Sequence, residues 1–430
     1  MATMIRNPEA GAPPIVERRY LLAFGLVTTL FFSWALAAAL NDVLIRQFQK
    51  ALALTRTESS LIQLAFYVGY FCAALPAGLL IRQLGYKAVM LLGLLLYAAG
   101  AFLFYPAAEV QRFGLFLAAL YVIAFGLAFL ETAANPYVSI LGAPETASAR
   151  LNLAQGFYGV GAILGPIIGG AFIFSGVEHG DATRAAMSPA DLAAWRASEA
   201  AAVQGPYLVI GCAVCLLLVA IAMTRFPKIE RPLAERAERR SFLHVLRHRR
   251  LVWAVVALFF YVGAQVGVWS FFIDFAKAQA PALPERTVAF LLSGSLGMLM
   301  IGRFLGAVIL QRIEPTCLLA AYAVANVALC LVAAIIPGVA AVGALWLTSF
   351  FMSIMFPTIF ALGLAGLGEE TESGASFLIM AIIGGALIPP AMGLMSDMLG
   401  DVHRMMIIPA VCFGVVLAFA MFLSKEEHRA

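Results

Sequence analysis

Twelve continuous apolar runs constrain the fold of this chain more than any other feature of its sequence. Each run has about 20 residues or more, which is the length that an α-helix needs to cross the hydrocarbon core of a bilayer. A membrane β-barrel would instead show shorter segments of alternating polarity. We therefore predict an all-α membrane protein with twelve transmembrane helices. The runs lie at 20–45, 60–81, 88–107, 113–142, 152–175, 206–226, 251–276, 287–312, 316–337, 339–363, 374–396 and 404–424.

The composition agrees with a membrane protein. Charged residues make up 12% of the chain and hydrophobic residues 63%, whereas a soluble domain carries about 25% charged residues. All six cysteines fall inside apolar runs, so no exposed disulfide framework is predicted. The segment 1–19 lacks the short apolar core and cleavage site of a secretory signal. We expect the first span itself to direct insertion.

The distribution of charge predicts how the chain is oriented in the membrane. The segment 227–250 between the sixth and seventh runs is rich in Arg and Lys, and such loops stay on the cytoplasmic side. With twelve spans, the tails 1–19 and 425–430 then face the cytoplasm as well. The polar segment 176–205 faces outward, and its second half predicts a short surface helix with Ser188 as the N-cap.

Three segments of the first half recur in the second half at offsets of 221, 224 and 228 residues. This repetition predicts two six-helix halves, 20–226 and 251–424, and parallel six-helix repeats are typical of the major facilitator architecture. The turn from Gly78 to Lys87 resembles the G-x-x-x-D-R-x-G-R-K loop of that superfamily, although Arg82 stands where Asp is usual. The matched segments are 136–142 with 357–363, 161–169 with 385–393, and 78–87 with 306–315.

Two carboxylates, Asp42 and Glu131, lie inside predicted spans. A charged group at the centre of a membrane helix costs roughly 2.5 to 3.5 kcal/mol and usually serves transport of protons, ions or substrate. Asn135 follows Glu131 by four residues, so the two share a helix face, and Pro136 frees a backbone carbonyl nearby. Two alternatives stay open: a helix neighbour holds Glu131 permanently, or Asp42 is a helix-end acid in water.

Amide side chains stand beside aromatic rings at two further places. Gln155 and Tyr158 share a face of the fifth span, and Gln265 and Trp269 share a face of the seventh. Amides bind sugar hydroxyls and rings stack on the C–H face of a sugar, so these pairs predict a sugar site. The alternative for each pair is hydrogen bonding between helices or an aromatic ring at the membrane interface. Arg303, near the inner end of the eighth span, we interpret as a structural or gating charge.

Several classes of function are disfavoured. The sequence has no GxxxxGK[ST] segment for ATP, no HExxH, and no Cys/His cluster, and its five histidines all lie outside the predicted spans. We therefore expect neither a metal nor an organic cofactor, no nucleic-acid binding, and no enzyme activity.

Several strings across both halves resemble one family, the fucose–galactose–glucose proton symporters of the major facilitator superfamily. The resemblance implies that Asp42 takes part in a proton relay and that Glu131 links protonation to sugar binding. It also places Gln155 in the sugar cavity and Trp34 and Trp269 at aromatic positions, and Glu131 favours the fucose-transporting branch. The strings are LNDVLIRQF (40–48), FYVGYF (66–71), ALPAGLL (74–80), GLAFLETAANPYV (126–138), RLNLAQ (150–155), YVGAQVGVWS (261–270), FMSIMFPTIF (351–360) and IIGG (382–385).

Four positions depart from the pattern of the fucose branch. Ala38 and Ala39 replace amide side chains, Tyr158 replaces Asn, and Phe356 replaces Tyr. Each lost hydrogen bond is worth about 1 kcal/mol, so the identity of the sugar stays open.

These features together predict a proton-coupled sugar importer that works by alternating access in the inner membrane of a bacterial cell. The expected substrate is L-fucose or a related monosaccharide such as D-galactose or D-arabinose, and the expected carrier is a monomer in the lipid bilayer. The alternatives are a proton-coupled carrier or exporter for another small solute, and a sugar sensor that does not transport.

Overall fold

Helices make up almost all of the part of the chain that the computed structural model describes, and that part contains no strand. Most of the tail 1–19, the centre of the linker 227–250 and part of the outer segment 176–205 lie outside it. The side chain of Asp42 does as well, although its backbone belongs to the first helix. The described residues are 14–52, 56–172, 187–227, 242–283 and 285–427.

Fifteen α-helices run through the described residues. In chain order they are α1 (Leu21–Ala51), α2 (Arg56–Leu84), α3 (Tyr86–Val110), α4 (Phe113–Ile140), α5 (Ala147–Phe172), α6 (Pro189–Ala201), α7 (Gln204–Met223), α8 (Arg249–Gln279), α9 (Glu285–Ile309), α10 (Pro315–Ile335), α11 (Val339–Met352), α12 (Met355–Leu364), α13 (Thr371–Met380), α14 (Gly384–Leu399) and α15 (Ile407–Glu427).

The helices account for the twelve predicted spans. Eleven spans among the described residues are long and apolar enough to cross a membrane, and α5, with 26 residues, corresponds to the fifth run. The remaining helix, α6, is the predicted surface helix. Ser188 caps it, since its hydroxyl accepts a hydrogen bond from the Asp191 N–H at 3.2 Å.

The tenth and eleventh spans are each interrupted in the middle, which the apolar pattern alone does not indicate. Helices α11 and α12 are separated at Ser353 and Ile354, and a 3-10 turn, Ala381–Ile383, separates α13 from α14. Pro357 explains the first break because it has no N–H to donate to the Ser353 carbonyl four residues earlier. That carbonyl is therefore free to accept a bond from another helix.

Close helix contacts hold each half together. In the first half α1 packs along α5 and α3 along α4, and in the second half α8 packs against α14 and α15. A Cβ atom on Gly161 of α5 would overlap the Phe32 carbonyl oxygen of α1. Small residues allow such close approach, which drives helix association where lipid is as apolar as the side chains.

The two halves meet along α5 and α9 and at the end of the molecule that is predicted to face the cytoplasm. There α2 packs against α13, and α4 and α5 pack against α12. Asn152 of α5 donates a side-chain hydrogen bond to the Thr358 hydroxyl of α12 at 3.3 Å. Both residues are fully buried, so the structure is closed at this end.

Gly78 is one of the tightest points of this closed end. A Cβ atom there would overlap the Ser376 hydroxyl and lie 2.9 Å from the Glu372 carbonyl oxygen. Overpacking of this kind costs about 1 to 3 kcal/mol, so we expect Gly78→Ala to shift the molecule toward a form that is open at this end.

The measurement is the distance between spin labels on Glu145 and Arg312, which are exposed at this end on opposite halves. We expect a longer distance to appear in Gly78→Ala. The matched control is Gly25→Ala, because Gly25 has open space where a Cβ would stand. An unchanged distance in Gly78→Ala would show that the packing around residue 78 adjusts without separating the halves.

Candidate functional site

The first part of the candidate site is a buried polar face on α4. Glu131 is 7% exposed and Asn135 is fully buried, four residues further along the same helix. The Asn135 amide donates to the Glu131 main-chain oxygen at 3.1 Å. Pro136 follows directly and leaves one backbone carbonyl of the preceding turn without its helical partner. A carboxyl group is thus held inside the first half with polar neighbours.

Helix α5 extends this polar face. Gln155 is 2% exposed, and its amide donates to the Asn135 side-chain oxygen at 3.2 Å. The contact joins α4 to α5, because the Gly161 approach described above holds α5 close to the helices of the first half. Glu131, Asn135 and Gln155 therefore form one connected chain of polar groups.

Two groups from other helices face the Glu131 carboxyl. One is the Tyr70 hydroxyl from α2, and the other, at longer range, is the guanidinium of Arg303 from α9. Tyr70 belongs to the string FYVGYF (66–71), but the sequence pattern assigns it no role. A tyrosine in an apolar run was the available signal, since a buried hydroxyl needs a hydrogen-bond partner.

Arg303 and Tyr158 lie at the boundary between the halves. Arg303 is 3% exposed, and its guanidinium carbon is 5.0 Å from the centre of the half-buried Tyr158 ring. This distance is within the range of a cation–π interaction. Tyr158 is thus placed next to Gln155 on α5, and Arg303 approaches both residues from the other half.

The predicted pair on α8, Gln265 and Trp269, is held in place by hydrogen bonds within the second half. The Gln265 amide donates to the Tyr261 hydroxyl at 2.8 Å, and that hydroxyl donates to the Met352 carbonyl at 3.0 Å. The Trp269 indole donates to the Ser349 hydroxyl of α11 at 3.0 Å. Hydrogen bonding between helices, the alternative left open by the sequence, is therefore present at Trp269. This bond holds the half-buried Trp269 ring, whereas the half-buried Gln265 amide is held by Tyr261 of its own helix.

Trp34 has a different environment. Its side chain is 1% exposed and packs against Phe31, with ring centres 4.2 Å apart. The indole nitrogen is buried without an acceptor among the described residues. Asp42 lies two turns further along α1, and its side chain is outside the described part of the structure. The described contacts thus unite Glu131, Asn135, Gln155 and Tyr158.

Three of the four departures from the fucose pattern are apolar: Phe356, Ala38 and Ala39. Phe356 is 7% exposed, and its ring is roughly parallel to that of Phe360, with ring centres 6.0 Å apart. Ala39 faces Gly165 of α5, and half-buried Ala38 packs against the core. Among the described residues, no group of three His, Cys, Asp or Glu side chains is placed to hold a metal ion.

Comparison with known proteins identifies the family. The family model of the Major Facilitator Superfamily matches residues 22–381. The chain therefore belongs to this superfamily of membrane transporters. It is a multi-pass membrane protein and not an enzyme, and the predicted fold of twelve helices in two repeats is confirmed.

Individual relatives show which transporters of the superfamily this chain is similar to. The chain is 44% identical to the L-fucose-proton symporter of Escherichia coli (strain K12) over 416 residues, which cover 95% of this chain and 94% of that protein. It is 36% identical to a glucose/galactose transporter of Brucella abortus biovar 1 over 414 residues, 95% of this chain and 96% of that one. The crystal structure of the superfamily transporter FucP in the outward conformation matches with a TM-score of 0.87 at 44% identity, covering 94% of this chain and 99% of the other. The predicted relationship to the fucose–galactose–glucose symporters is thus confirmed.

Proposed function

We propose that this chain imports a monosaccharide together with a proton by alternating access. The observation that carries the proposal is the buried residue Glu131. Its main-chain oxygen accepts a hydrogen bond from the Asn135 amide, and the Asn135 side-chain oxygen accepts one from Gln155. A carboxyl that gains and loses a proton changes the charge of this polar face. This change in charge acts directly on a sugar hydroxyl that the neighbouring amides bind.

The residues divide into two proposed roles. Asp42, toward the outer end of α1, and Glu131 handle the proton. The sugar is held by hydrogen bonds and by ring stacking, since amides offer both donors and acceptors and rings cover the apolar face of a pyranose. The proposed sugar-binding residues are Glu131, Asn135, Gln155, Tyr158, Trp34, Gln265 and Trp269.

We also propose in which membrane the protein lies and how it is oriented. The relatives and the basic linker support the inner membrane of a bacterium, with both tails in the cytoplasm. The proposed units are the cytoplasmic tail 1–19, a six-helix half 20–226, the linker 227–250, a second half 251–424 and the tail 425–430. We propose that one chain in the bilayer is sufficient for transport.

The test is a counterflow panel with the purified chain in proteoliposomes. Vesicles loaded with one unlabelled sugar are diluted into the same labelled sugar, and L-fucose, D-galactose, D-arabinose, glucose and non-sugar solutes are compared. We expect counterflow with at least one of the first three and alkalinisation of the external medium when that sugar enters. Net uptake of that sugar without alkalinisation of the external medium would contradict symport.

A second candidate is a proton-coupled carrier or exporter for a different small solute. Phe356, Ala38 and Ala39 support it, because they offer apolar surface where the fucose branch has hydrogen-bonding groups. Counterflow with a non-sugar solute alone would favour this candidate. Absence of counterflow for every solute would instead favour a sugar sensor.

The apolar position Phe356 gives a direct test of sugar preference. We expect Phe356→Tyr to raise the affinity for L-fucose about fivefold, because one added hydrogen bond contributes about 1 kcal/mol. The measurement is the L-fucose concentration that half-inhibits counterflow of the preferred sugar. The matched control is Phe172→Tyr, at a ring 69% exposed at the end of α5. An equal effect in both variants would rule out a contact between Phe356 and the sugar.

A further inference from the structure

An apolar groove, the lateral groove, lies where α2, α8 and α13 come together. Its volume is about 350 Å³, within the range of ligand cavities, about 300 to 1,000 Å³. Phe71 of α2 lines one side, and Val256 and Phe260 of α8 line another. Helix α13, which packs against both, contributes Phe377 and Met380. Every lining residue is apolar, so the lateral groove offers no side-chain hydrogen bond to a sugar.

The depth of the lateral groove matches the hydrocarbon of one leaflet. Val256 and Phe260 follow Arg249, near the start of α8, by 7 and 11 residues. At a rise of 1.5 Å per residue they lie about 10 and 16 Å into the membrane, where one leaflet of hydrocarbon is about 15 Å thick. The halves are closed at this end, yet Phe71 is 42% exposed and Val256 37%. The lateral groove is therefore open toward lipid and not toward an aqueous cavity.

A positive charge stands at the membrane-surface end of the lateral groove. Arg249 is two turns from Val256 and three turns from Phe260, so the three residues share one face of α8. The side chains of Arg249 and Arg247 are exposed. Trp253, between Arg249 and the groove, is 39% exposed, and tryptophan at this level is typical of the membrane interface. The face thus pairs a cation at the surface with an apolar groove below it.

The short turn that precedes α8 has the character of a segment on a membrane surface. Leu243 and Leu246 are exposed and three residues apart, and basic residues follow them. Apolar side chains that alternate with basic ones suit the boundary between headgroups and acyl chains. The carboxylate of Glu370 is bound by His248 at 2.7 Å, whereas Arg249 is exposed at the surface. The charge of this corner complements an anionic headgroup.

We propose that the lateral groove binds one acyl chain of an anionic phospholipid whose phosphate is held by Arg249. The lipid belongs to the leaflet at the closed end, which is the cytoplasmic leaflet in the orientation proposed above. Phe71 belongs to the first half and the other lining residues belong to the second. The lateral groove is therefore complete only while the halves are closed at this end. The site is separate from the proposed sugar site, and its test does not depend on transport.

The test is photolabelling of the full-length chain in phosphatidylcholine vesicles. Phosphatidylglycerol with a photoactivatable diazirine in one acyl chain is added at low mole fraction, and the labelled peptides are quantified by mass spectrometry. The same experiment with diazirine-bearing phosphatidylcholine measures the contribution of the headgroup. The peptide around Leu216 of α7, which is 73% exposed, reports ordinary contact with surrounding lipid.

The anionic probe should label the peptides that contain Val256 and Phe377 more strongly than the Leu216 peptide. Phosphatidylglycerol should exceed phosphatidylcholine at these two peptides about fivefold, the effect of one basic residue near a membrane surface. Arg249→Gln should remove this preference, because it removes the cation and leaves the apolar lining intact. The matched control is Arg112→Gln, which removes an exposed charge between α3 and α4 and should behave as the parent.

A second variant tests the lateral groove itself. Val256→Trp fills it, so labelling at Phe377 by either lipid should fall to the level of the Leu216 peptide. Val324→Trp places the same ring at an exposed position of α10 and should leave the labelling unchanged. Labelling of the groove peptides no stronger than that of the Leu216 peptide overturns the proposal, because it indicates surrounding lipid only. Equal labelling by both lipids in the parent also overturns it, since the occupant is then a neutral lipid. If Val256→Trp does not fold, a headgroup preference that persists in Arg249→Gln overturns the assignment instead.

Discussion

Glu131→Gln is expected to abolish accumulation of sugar against a gradient while leaving exchange of sugar for sugar intact. Glutamine has the size of a protonated glutamic acid and keeps hydrogen-bonding capacity, so the binding face on α4 is preserved. It cannot release a proton, so the return of the empty carrier no longer depends on the proton gradient. One charge moving through 100 mV supplies about 2.3 kcal/mol, which corresponds to about 50-fold accumulation.

The measurement compares two assays on the same proteoliposomes. With an imposed gradient of 100 mV, the parent should approach that accumulation and Glu131→Gln should only equilibrate the sugar, while counterflow rates stay within a few-fold of each other. The matched control is Glu145→Gln, since Glu145 is exposed in the connection between α4 and α5. Accumulation in Glu131→Gln equal to that of the parent would remove this residue from proton coupling.

Gln155→Leu is expected to weaken sugar binding about 10- to 100-fold. The change removes a donor to Asn135 and leaves that buried amide oxygen without its partner, at a cost of about 1 to 3 kcal/mol. It also removes the amide that we propose binds the sugar. The main-chain carbonyl of residue 155 remains, so the hydrogen bond that it accepts from the Arg303 guanidinium of the second half, at 3.0 Å, is retained.

Because this bond is retained, Gln155→Leu tests sugar binding without removing the contact between the halves. The sugar concentration for half-maximal counterflow should rise by the stated factor, while the distance between spin labels on Glu145 and Arg312 stays close to that of the parent. Gln204→Leu serves as the matched control, because Gln204 donates to the Tyr105 carbonyl in an exposed position away from the site. An affinity that is unchanged in Gln155→Leu would show that the sugar binds elsewhere.

The predictable part of the candidate site is the part that lies along single helices. Glu131 and Asn135 are four residues apart, as are Gln265 and Trp269, and helical geometry alone places each pair on one face. The capped surface helix at Ser188 was predictable for the same reason, because a cap depends on neighbouring residues. Such local relations do not change with the packing of the rest of the chain.

Contacts between helices were not predictable from the same patterns. Nothing in the spacing of Asn135 and Gln155 specifies that their amides meet, and nothing indicates that Tyr70 faces Glu131. The hydrogen bonds of Arg303 involve three separate segments: its own helix, the break before Pro357, and the Gln155 turn of α5. To predict each of these contacts, one must know the rotation and depth of a helix relative to its neighbours.

The sequence by itself determined a twelve-helix membrane transporter with duplicated halves and a carboxyl group at membrane depth. Run length against bilayer thickness gives the spans, the recurring segments and family strings give the halves and the transporter class, and the cost of a charge in hydrocarbon marks the carboxyl group. Only the tertiary structure decided that the predicted cytoplasmic end is closed, and that Arg303 joins the halves beside Glu131. Lipid is as apolar as the helix surfaces, so hydrophobicity does not select partners among spans, and close packing and buried hydrogen bonds select them instead.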